Sequence, residues 1–256
     1  IIYLSVCCSD NVNPDIIINA AAYTQVDNAE RNKVLAYKIN SDAVRSIALE
    51  AQRKNIFLIH YSTDYVFDGT KSTPYLENDN PNPLNIYGKS KLNSEKNISS
   101  LKLNYLIFRT SWVISDHDKN FVKTILNLAK KQDKLEVVND QFGVPTSTEL
   151  ICSATEKAIY TFINSKKFDS GIYHLTPKGK TTWFEIAKEV LNIATSINTS
   201  YGEVKVQPIS TKNYNFLAKR PLNSLLDCSK VVNKLSFQLP NWKDGLEKIV
   251  YSICCK

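Results

Sequence analysis

Short β-branched runs alternate with longer amphipathic stretches along the chain from residue 14 onward. The apolar runs predict strands at residues 14–20, 55–61, 105–114, 135–138 and 171–175. The amphipathic stretches predict helices at residues 41–54, 87–98, 120–131, 147–163 and 181–194, with Ser41 as the N-cap of the first. Strands separated by helix-length segments are joined by crossovers, which produce a parallel sheet covered on both faces. The sequence therefore predicts an α/β fold with a doubly wound parallel sheet.

Composition indicates a globular chain that has no membrane partner. Hydrophobic residues make up 43% of the 256 positions, enough to bury the core of one or two domains. No run of about 18 apolar residues appears, and no charged leader followed by an apolar stretch is present. We therefore expect a cytoplasmic protein.

Neither the cysteines nor the basic charge indicates a metal or nucleic-acid partner. The six cysteines lack the paired spacing of a zinc site and are expected to be reduced. The net charge of +7 comes from 27 Lys and only 5 Arg spread along the chain, whereas nucleic-acid recognition favours clustered Arg. A solvated, Lys-rich surface is the better interpretation.

Polar side chains follow three of the predicted strands. The segments NAAAYT (19–24), HYSTDY (60–65) and RTSW (109–112) come directly after apolar runs. In doubly wound sheets, ligands bind beyond the carboxyl ends of the strands. These segments are therefore expected to line one ligand crevice.

Tyr87 and Lys91 are spaced so that their side chains share one face of a predicted helix. An ammonium near a phenol lowers the phenol's pKa from about 10, which favours proton transfer near neutral pH. The spacing alone is a weak signal, because about 1.4 such pairs are expected by chance and a second pair, Tyr201 and Lys205, reads as a chance match. Thr63, at a strand end, would face the same crevice. A hydroxyl, a phenol and an ammonium together suit carbonyl reduction.

Eight segments, in order, resemble those of the extended short-chain dehydrogenase/reductases and, within them, the dTDP-4-dehydrorhamnose reductases. The segments are NAAAYTQVDNAE (19–30), HYSTDYVFDG (60–69), PLNIYGKSKLNSE (83–95), FRTSWV (108–113), VNDQFGVPT (138–146), GIYHL (171–175), TTWFEIA (181–187) and AKRPLNSLLD (218–227). The resemblance implies a Rossmann-like domain at residues 1–112 and a smaller substrate-binding domain at 113–256, with some elements returning to the sheet. It implies the NADPH-dependent reduction of the C4 ketone of dTDP-4-dehydro-L-rhamnose to dTDP-L-rhamnose, with NADH as another acceptable reductant.

The resemblance also assigns roles to individual residues. The implied catalytic residues are Tyr87 as proton donor, Lys91 as the residue that lowers its pKa and holds the nicotinamide ribose, and Thr63 as the hydroxyl that orients the carbonyl. The implied substrate-binding residues are Thr63, Asp64, Tyr65, Trp112 and Arg220. The implied cofactor-binding residues are Ala20, Ala21, Ala22, Tyr61, Tyr87 and Lys91. Relatives are often homodimers, in some cases with a bridging Mg²⁺, but no acidic cluster in the sequence assigns metal ligands.

Several of these positions have structural alternatives. Trp112, Tyr61 and Tyr65 could be core aromatics, because strands are rich in them, and the three alanines could reflect close packing. Arg220 suits a diphosphate, but it could instead cap a helix or pair with Asp227. Dehydratases of similar plan carry an acidic pair after the threonine, whereas Tyr65 follows Asp64 here, which favours simple reduction.

The amino-terminal part departs from the family pattern. The first glycine is Gly69, the chain has no Met, and the glycine-rich turn that cradles a pyrophosphate is missing. The run at residues 1–8 is too close to the next strand for a crossover, so it is either an irregular edge element or the point where sequence is lost. We expect the chain as written to bind NADPH poorly. The alternative to a reductase is a non-catalytic regulatory homologue or an inactive fragment.

Overall fold

The computed structural model describes residues 14–165, 169–202 and 204–255. The prediction for residues 1–8 falls outside these ranges. Within them, no helix is both long enough and apolar enough to cross a membrane.

Among the described residues the main sheet has four strands, and every pair of them is parallel. In spatial order the strands are β1 (Ile16–Asn19), β2 (Phe57–Thr63), β3 (Tyr105–Thr110) and β8 (Gly171–His174). Asn19 aligns with His60, and Thr63 aligns with Thr110, so the carboxyl ends of the first three strands meet at one edge. The predicted parallel sheet and the predicted meeting of the polar strand ends are confirmed.

Helices cover both faces of this sheet, because the strands carry apolar side chains on each face and these are buried against helices. The helices that precede and follow β2 are α1 (Val26–Arg31), α2 (Lys33–Tyr37), α3 (Ala43–Lys54) and α4 (Ile86–Ser99). Leu58 and Ile107 pack against α3 and α4, whereas Phe57, Ile59 and Phe108 pack on the opposite face. That opposite face is covered by α6 (Thr148–Ser165) and α8 (Ser229–Leu235). The doubly wound arrangement is therefore present.

A second hydrophobic core lies in the later part of the chain. Its helices are α5 (Phe121–Ala129), α7 (Trp183–Ile197) and α9 (Trp242–Cys254). Three two-stranded sheets accompany them, pairing β4 (Val113–Ile114) with β7 (Thr146–Ser147), β6 (Phe142–Gly143) with β9 (Thr181–Thr182), and β5 (Lys134–Val138) with β10 (Lys205–Ile209). Helix α6 packs on the main sheet and β8 is one of its strands, although both follow α5 of the second core in the sequence. The chain therefore crosses from the second core back to the first. The domain boundary at residue 112 stays a prediction.

Two local predictions differ from the structure, and several elements were not predicted. The strand predicted at 105–114 ends at Thr110, because Trp112 has a positive φ of +45° that interrupts it. The predicted N-cap Ser41 is wrong, since it lies in a π-helical turn (Lys38–Asp42) that runs directly into α3. Its hydroxyl instead accepts hydrogen bonds from Asn93 and Asn97 on α4. Helices α1, α2, α8 and α9 and strand β10 were not predicted.

Candidate active site

The carboxyl end of β2 forms a tight turn that presents Thr63 and Asp64 to the sheet edge. Thr63 Oγ1 accepts a hydrogen bond from Tyr65 N at 3.2 Å and thereby caps the 3₁₀ turn Asp64–Val66. The same hydroxyl donates its proton to Asp64 Oδ1 at 2.9 Å. The turn therefore holds the hydroxyl and the carboxyl group side by side.

Asp64 is almost fully buried, and its other oxygen is not satisfied. Only 2% of the residue is exposed, and Oδ2 has no hydrogen-bond partner within the described ranges. Burial raises the pKa of Asp64 from 3.8 to about 6, although the nearby hydroxyls of Ser224 and Thr63 oppose this change. A buried acceptor without a partner is costly, and a hydrogen-bond donor of a bound ligand would satisfy it.

Helix α4 packs directly on the turn that follows Thr63. Asn85 caps the helix by accepting a hydrogen bond from Gly88 N at 2.8 Å. A Cβ on Gly88 would lie only 2.2 Å from the carbonyl oxygen of Tyr65, so only glycine permits this approach. As a result, the Tyr87 ring lies 5.9 Å from the Tyr65 ring in an edge-to-face arrangement.

The structure raises the pKa of Tyr87, which is opposite to the expected direction. Burial disfavours the phenolate, and the neighbouring Thr63 hydroxyl only partly opposes this effect. The expected lowering by Lys91 is absent because the ammonium of Lys91 is directed elsewhere. Lys91 Nζ donates to the carbonyl oxygen of Tyr61 at 2.5 Å and lies 3.3 Å from His60 Nε2.

Lys91 itself is buried and has neutral neighbours at close range. Only 2% of it is exposed, and burial lowers its pKa from 10.5 to about 8, while the more distant Glu95 carboxylate acts in the opposite direction. No salt bridge to Lys91 is formed by the residues that the structure describes. A buried ammonium with only neutral partners can accommodate the hydroxyl groups of a ligand.

The segment after β1 is open and anchored beside Lys91. Asn19 Oδ1 accepts a hydrogen bond from Ala21 N at 3.2 Å, and Asn19 Nδ2 lies 3.2 Å from His60 Nδ1. Ala20 and Ala21 are exposed and Ala22 is half-buried. The small, accessible side chains leave space at the strand end next to the buried ammonium. This arrangement fits the ribose and nicotinamide of a dinucleotide.

The side chain of Tyr61 is directed away from this space. Its hydroxyl forms a 2.8 Å hydrogen bond with Thr155 on α6, and its ring packs on Phe108. Burial raises the pKa of the Tyr61 phenol. Only the backbone carbonyl of Tyr61 contacts a predicted site residue, through its hydrogen bond with Lys91.

Arg220 forms an ion pair that the sequence did not indicate. Its Nη2 lies 2.8 Å from Asp27 Oδ2, so the predicted alternative of a pair with Asp227 is wrong. Asp227 instead accepts a hydrogen bond from Ser229 N at 2.9 Å. The Nε of Arg220 is buried without a partner in the described part of the chain. Arg220 is also close enough to Tyr65 to oppose the rise of that phenol's pKa, which burial sets at about 12.

Trp112 is half-buried at the end of β3 and stacks on another tryptophan. Its ring lies 3.9 Å from that of Trp183, with an angle of 21° between the planes. Thr63, Asp64, Tyr65 and Tyr87 are thus in contact with one another, whereas Trp112 belongs to the second core.

The chain is similar in sequence to a protein family and to characterised enzymes. The family model described as "RmlD substrate binding domain" matches residues 7–254. The chain belongs to the RmlD substrate-binding domain family. The dTDP-4-dehydrorhamnose reductase of Escherichia coli K12 is 42% identical over 240 residues, covering 94% of this chain and 80% of that protein.

Solved structures of RmlD-family relatives share the fold. The dTDP-4-dehydrorhamnose reductase of Bacillus anthracis, in complex with NADP, has a TM-score of 0.87 and 35% identity, covering 98% of this chain and 85% of the other. An orthologous reductase from Clostridium acetobutylicum also gives a TM-score of 0.87, with 34% identity over 99% of this chain and 86% of that chain. The expected resemblance and the α/β fold are confirmed.

Sequence reasoning missed several polar residues that hold the RmlD-family site together. Asn40 binds the backbone of Tyr23 through both amide atoms, at 2.7 and 3.0 Å, and so ties the alanine segment to the π-helical turn. Glu95 on α4 pairs with Arg109 on β3 at 2.6 Å, and both side chains are almost fully buried. The sequence signal that could have indicated this pair is a charged residue, Arg109, inside an otherwise apolar strand and another, Glu95, on the buried face of α4.

A metal site is not indicated by the described ranges. No group of three or more His, Cys, Asp or Glu side chains there could hold a metal ion. The predicted Mg²⁺ consequently has no assigned ligands among the residues that the structure describes.

Proposed function

We propose that this protein reduces the C4 ketone of dTDP-4-dehydro-L-rhamnose to give dTDP-L-rhamnose, using NADPH as the reductant. The observation that carries the proposal is that the Thr63 hydroxyl, at the end of β2, lies beside the phenol of Tyr87 on α4. The same helix carries the buried Lys91. The 42% identity to the Escherichia coli reductase supports the substrate. The NADP bound by the Bacillus anthracis relative supports NADPH over NADH.

Tyr87 is the proposed proton donor to the C4 oxygen. Because its pKa is raised, the phenol carries its proton at neutral pH, as reduction requires. The Thr63 hydroxyl lies beside the phenol and would orient the substrate carbonyl toward it. NADPH, when bound, supplies the hydride that adds to C4.

Lys91 and the alanine segment are the proposed cofactor contacts. The ammonium of Lys91 is held between the Tyr61 carbonyl and His60, and its remaining N–H is available for a ribose hydroxyl. Ala20, Ala21 and Ala22 leave room for the cofactor to approach the end of β1. The contribution of Tyr61 is its backbone carbonyl, since its hydroxyl is committed to Thr155.

The substrate is proposed to satisfy two buried atoms that lack partners. Arg220 Nε is a donor that suits the diphosphate, because a guanidinium binds such oxygens in a bidentate manner. Asp64 Oδ2 is an acceptor that suits a sugar hydroxyl. Tyr65, whose pKa both Arg220 and Asp64 influence, is proposed to line the same pocket, and Trp112 would face the sugar ring. A homodimer is part of the same proposal and rests on the family resemblance.

The decisive experiment measures NADPH oxidation in the presence of the dTDP-4-keto sugar. It uses this chain and a version extended at its amino terminus by a glycine-rich strand–turn–helix segment of the family. In the version that turns over, Tyr87→Phe should lower kcat by at least about 100-fold, because general acid catalysis contributes roughly that much. Tyr160→Phe is the matched control, since Tyr160 is an exposed tyrosine on α6.

The outcome separates a reductase from a non-catalytic homologue. Turnover that is lost in Tyr87→Phe and retained in Tyr160→Phe supports the proposal. Absence of turnover in both wild-type versions would refute it and favour the regulatory alternative. Size-exclusion chromatography with light scattering tests the homodimer separately.

A further inference from the structure

The backbone of Trp112 is strained and must be held by its surroundings. Its φ of +45° lies in the left-handed region, which a bulky residue rarely adopts. Such a conformation is unfavourable and persists only where neighbouring structure enforces it. The residue sits between β3 and β4, at the same sheet edge as Thr63 and Thr110. The question is which contacts enforce this orientation of the ring.

Trp183, at the first position of α7, supplies one of these contacts. The two indole rings are 3.9 Å apart and nearly parallel, with 21° between their planes. The Trp183 ring also packs on Phe121, at 4.6 Å between centroids. Stacked aromatic pairs stabilise a fold beyond the area that they bury, and this helps to offset the backbone strain of Trp112.

Trp183 is itself locked in place by a buried amide. Its Nε1 donates a hydrogen bond to Gln141 Oε1 at 3.2 Å. Gln141 is 2% exposed, and its Nε2 donates to Thr211 Oγ1 at 3.1 Å. The Trp183 ring can therefore neither rotate nor slide without breaking this chain of hydrogen bonds. A fixed Trp183 plane fixes the plane of Trp112.

Gly143 closes the remaining direction in which the Trp112 ring could move. A Cβ on Gly143 would lie 2.6 Å from ring atoms of Trp112, so the indole occupies the space that any other residue would fill. Trp112 is thus held by Trp183 on one side and by the Gly143 backbone on another. Gly143 lies 31 positions and Trp183 lies 71 positions from Trp112 in the sequence, yet both contact its indole.

We propose that Trp183 is a positioning residue that fixes the Trp112 indole as the platform against which the sugar ring of the dTDP-sugar packs. This inference rests on the proposed function. The C–H face of a 6-deoxy sugar is apolar, and an indole of fixed orientation would bind that face without loss of side-chain freedom. Trp183 acts through Trp112 and has no assigned contact with the reacting atoms.

The test compares Trp183→Phe and Trp183→Leu in the version of the protein that turns over. Trp242→Phe is the matched control, because Trp242 lies in the same core and does not stack on Trp112. Circular dichroism reports the coupling between the two stacked indoles. The KM for the dTDP-4-keto sugar and the Kd for dTDP-L-rhamnose report the position of Trp112.

We expect Trp183→Leu to abolish the indole coupling and to raise KM and Kd by about tenfold, while kcat changes by less than about threefold. Trp183→Phe, which keeps an aromatic ring, should recover most of the affinity without the coupling signal. Trp242→Phe should retain both. Urea unfolding of each variant confirms that the comparison is made on folded protein.

Gly143→Ala provides an independent route to the same result. The added methyl group would displace the Trp112 ring without changing either tryptophan, so KM should rise and the indole coupling should change together. Unchanged KM and Kd in folded Trp183→Leu and Gly143→Ala, alongside an active wild type, would overturn this inference and leave the proposed function intact. A wild type that neither binds dTDP-L-rhamnose nor turns over would overturn both.

Discussion

Replacing Asp64 by Asn should stabilise the protein at neutral pH and have no such effect in acid. The carboxyl group is buried and its pKa is raised from 3.8 to about 6, because burial disfavours the carboxylate. A carboxyl group with a raised pKa in the folded state binds protons more tightly there than in the unfolded chain. Its contribution to stability is therefore fully present below about pH 4 and is lost as the pH rises through 6.

The magnitude follows from the two pKa values. They differ by about 2, and each tenfold step in affinity corresponds to about 1.4 kcal/mol, so ionised Asp64 destabilises the fold by about 3 kcal/mol above pH 7. Asn has the same shape and no charge. Its Oδ1 can still accept the Thr63 proton, and its Nδ2 would occupy the position of the unsatisfied Oδ2.

The assay is urea unfolding followed by tryptophan fluorescence, between pH 4 and 8. The free energy of unfolding of Asp64→Asn should exceed that of the wild type by about 3 kcal/mol at pH 8, and the difference should shrink to zero near pH 4. A difference that does not change with pH, or a variant that is less stable at pH 8, would refute the reasoning.

Asp68 provides a control of opposite sign in the same segment. Hydrogen bonds from Thr70, Asn82 and Tyr75 lower its pKa to about 2. A lowered pKa contributes stability above the unfolded value of about 3.9, and this is lost as the pH falls toward 2. Asp68→Asn should therefore be less stable than the wild type at neutral pH, and the two should converge in acid. The opposite signs separate local burial from any general effect of removing negative charge.

Two further predictions concern charged groups. Glu95→Gln should lower the free energy of unfolding by about 3–5 kcal/mol, because it leaves the guanidinium of Arg109 buried without its carboxylate. Glu149→Gln removes a carboxylate from an exposed ion pair with Lys248 and should lower it by less than about 1 kcal/mol. Urea unfolding measures both values. Arg220→Lys should weaken dTDP binding about tenfold, since an ammonium cannot replace the bidentate guanidinium. Arg45→Lys, at an exposed position, is the control and should leave the Kd for dTDP unchanged. Calorimetry measures both dissociation constants.

The main sheet could be predicted because its signals are local. Apolar runs such as residues 57–59 and 106–108 are buried on both faces, and this produces a continuous hydrophobic pattern that differs from the pattern of a surface helix. Polar residues that interrupt such a run at its end, as Thr63 and Asp64 do, indicate the ligand edge by topology. The five predicted helices followed from period and length, whereas α1, α2, α8 and α9 were not predicted.

The supporting contacts could not be predicted because they join residues that are distant in sequence. Arg220 pairs with Asp27, 193 positions away, rather than with Asp227 nearby. Strand β10 alternates only weakly in burial, so it carries no clear period-2 pattern. The left-handed backbone of Trp112 depends on Trp183 and Gly143 and has no local sequence signal. In each case, the tertiary neighbours decide the conformation.

The pKa directions of Tyr87 and Lys91 fit reduction better than the predicted mutual pairing does. A proton donor must carry its proton before the substrate oxygen becomes basic, and the raised pKa of Tyr87 ensures this at neutral pH. An alkoxide is far more basic than a phenolate, so a weakly acidic phenol still transfers its proton favourably. The resulting phenolate must then be reprotonated, and Lys91, whose pKa is about 8, is the stronger acid of the two. Lys91 Nζ contacts the Tyr61 carbonyl and His60 rather than the phenol. Under the proposed function, the ribose hydroxyl held by Lys91 would therefore give its proton to Tyr87 and take one from Lys91, and burial of both groups favours transfer in that direction.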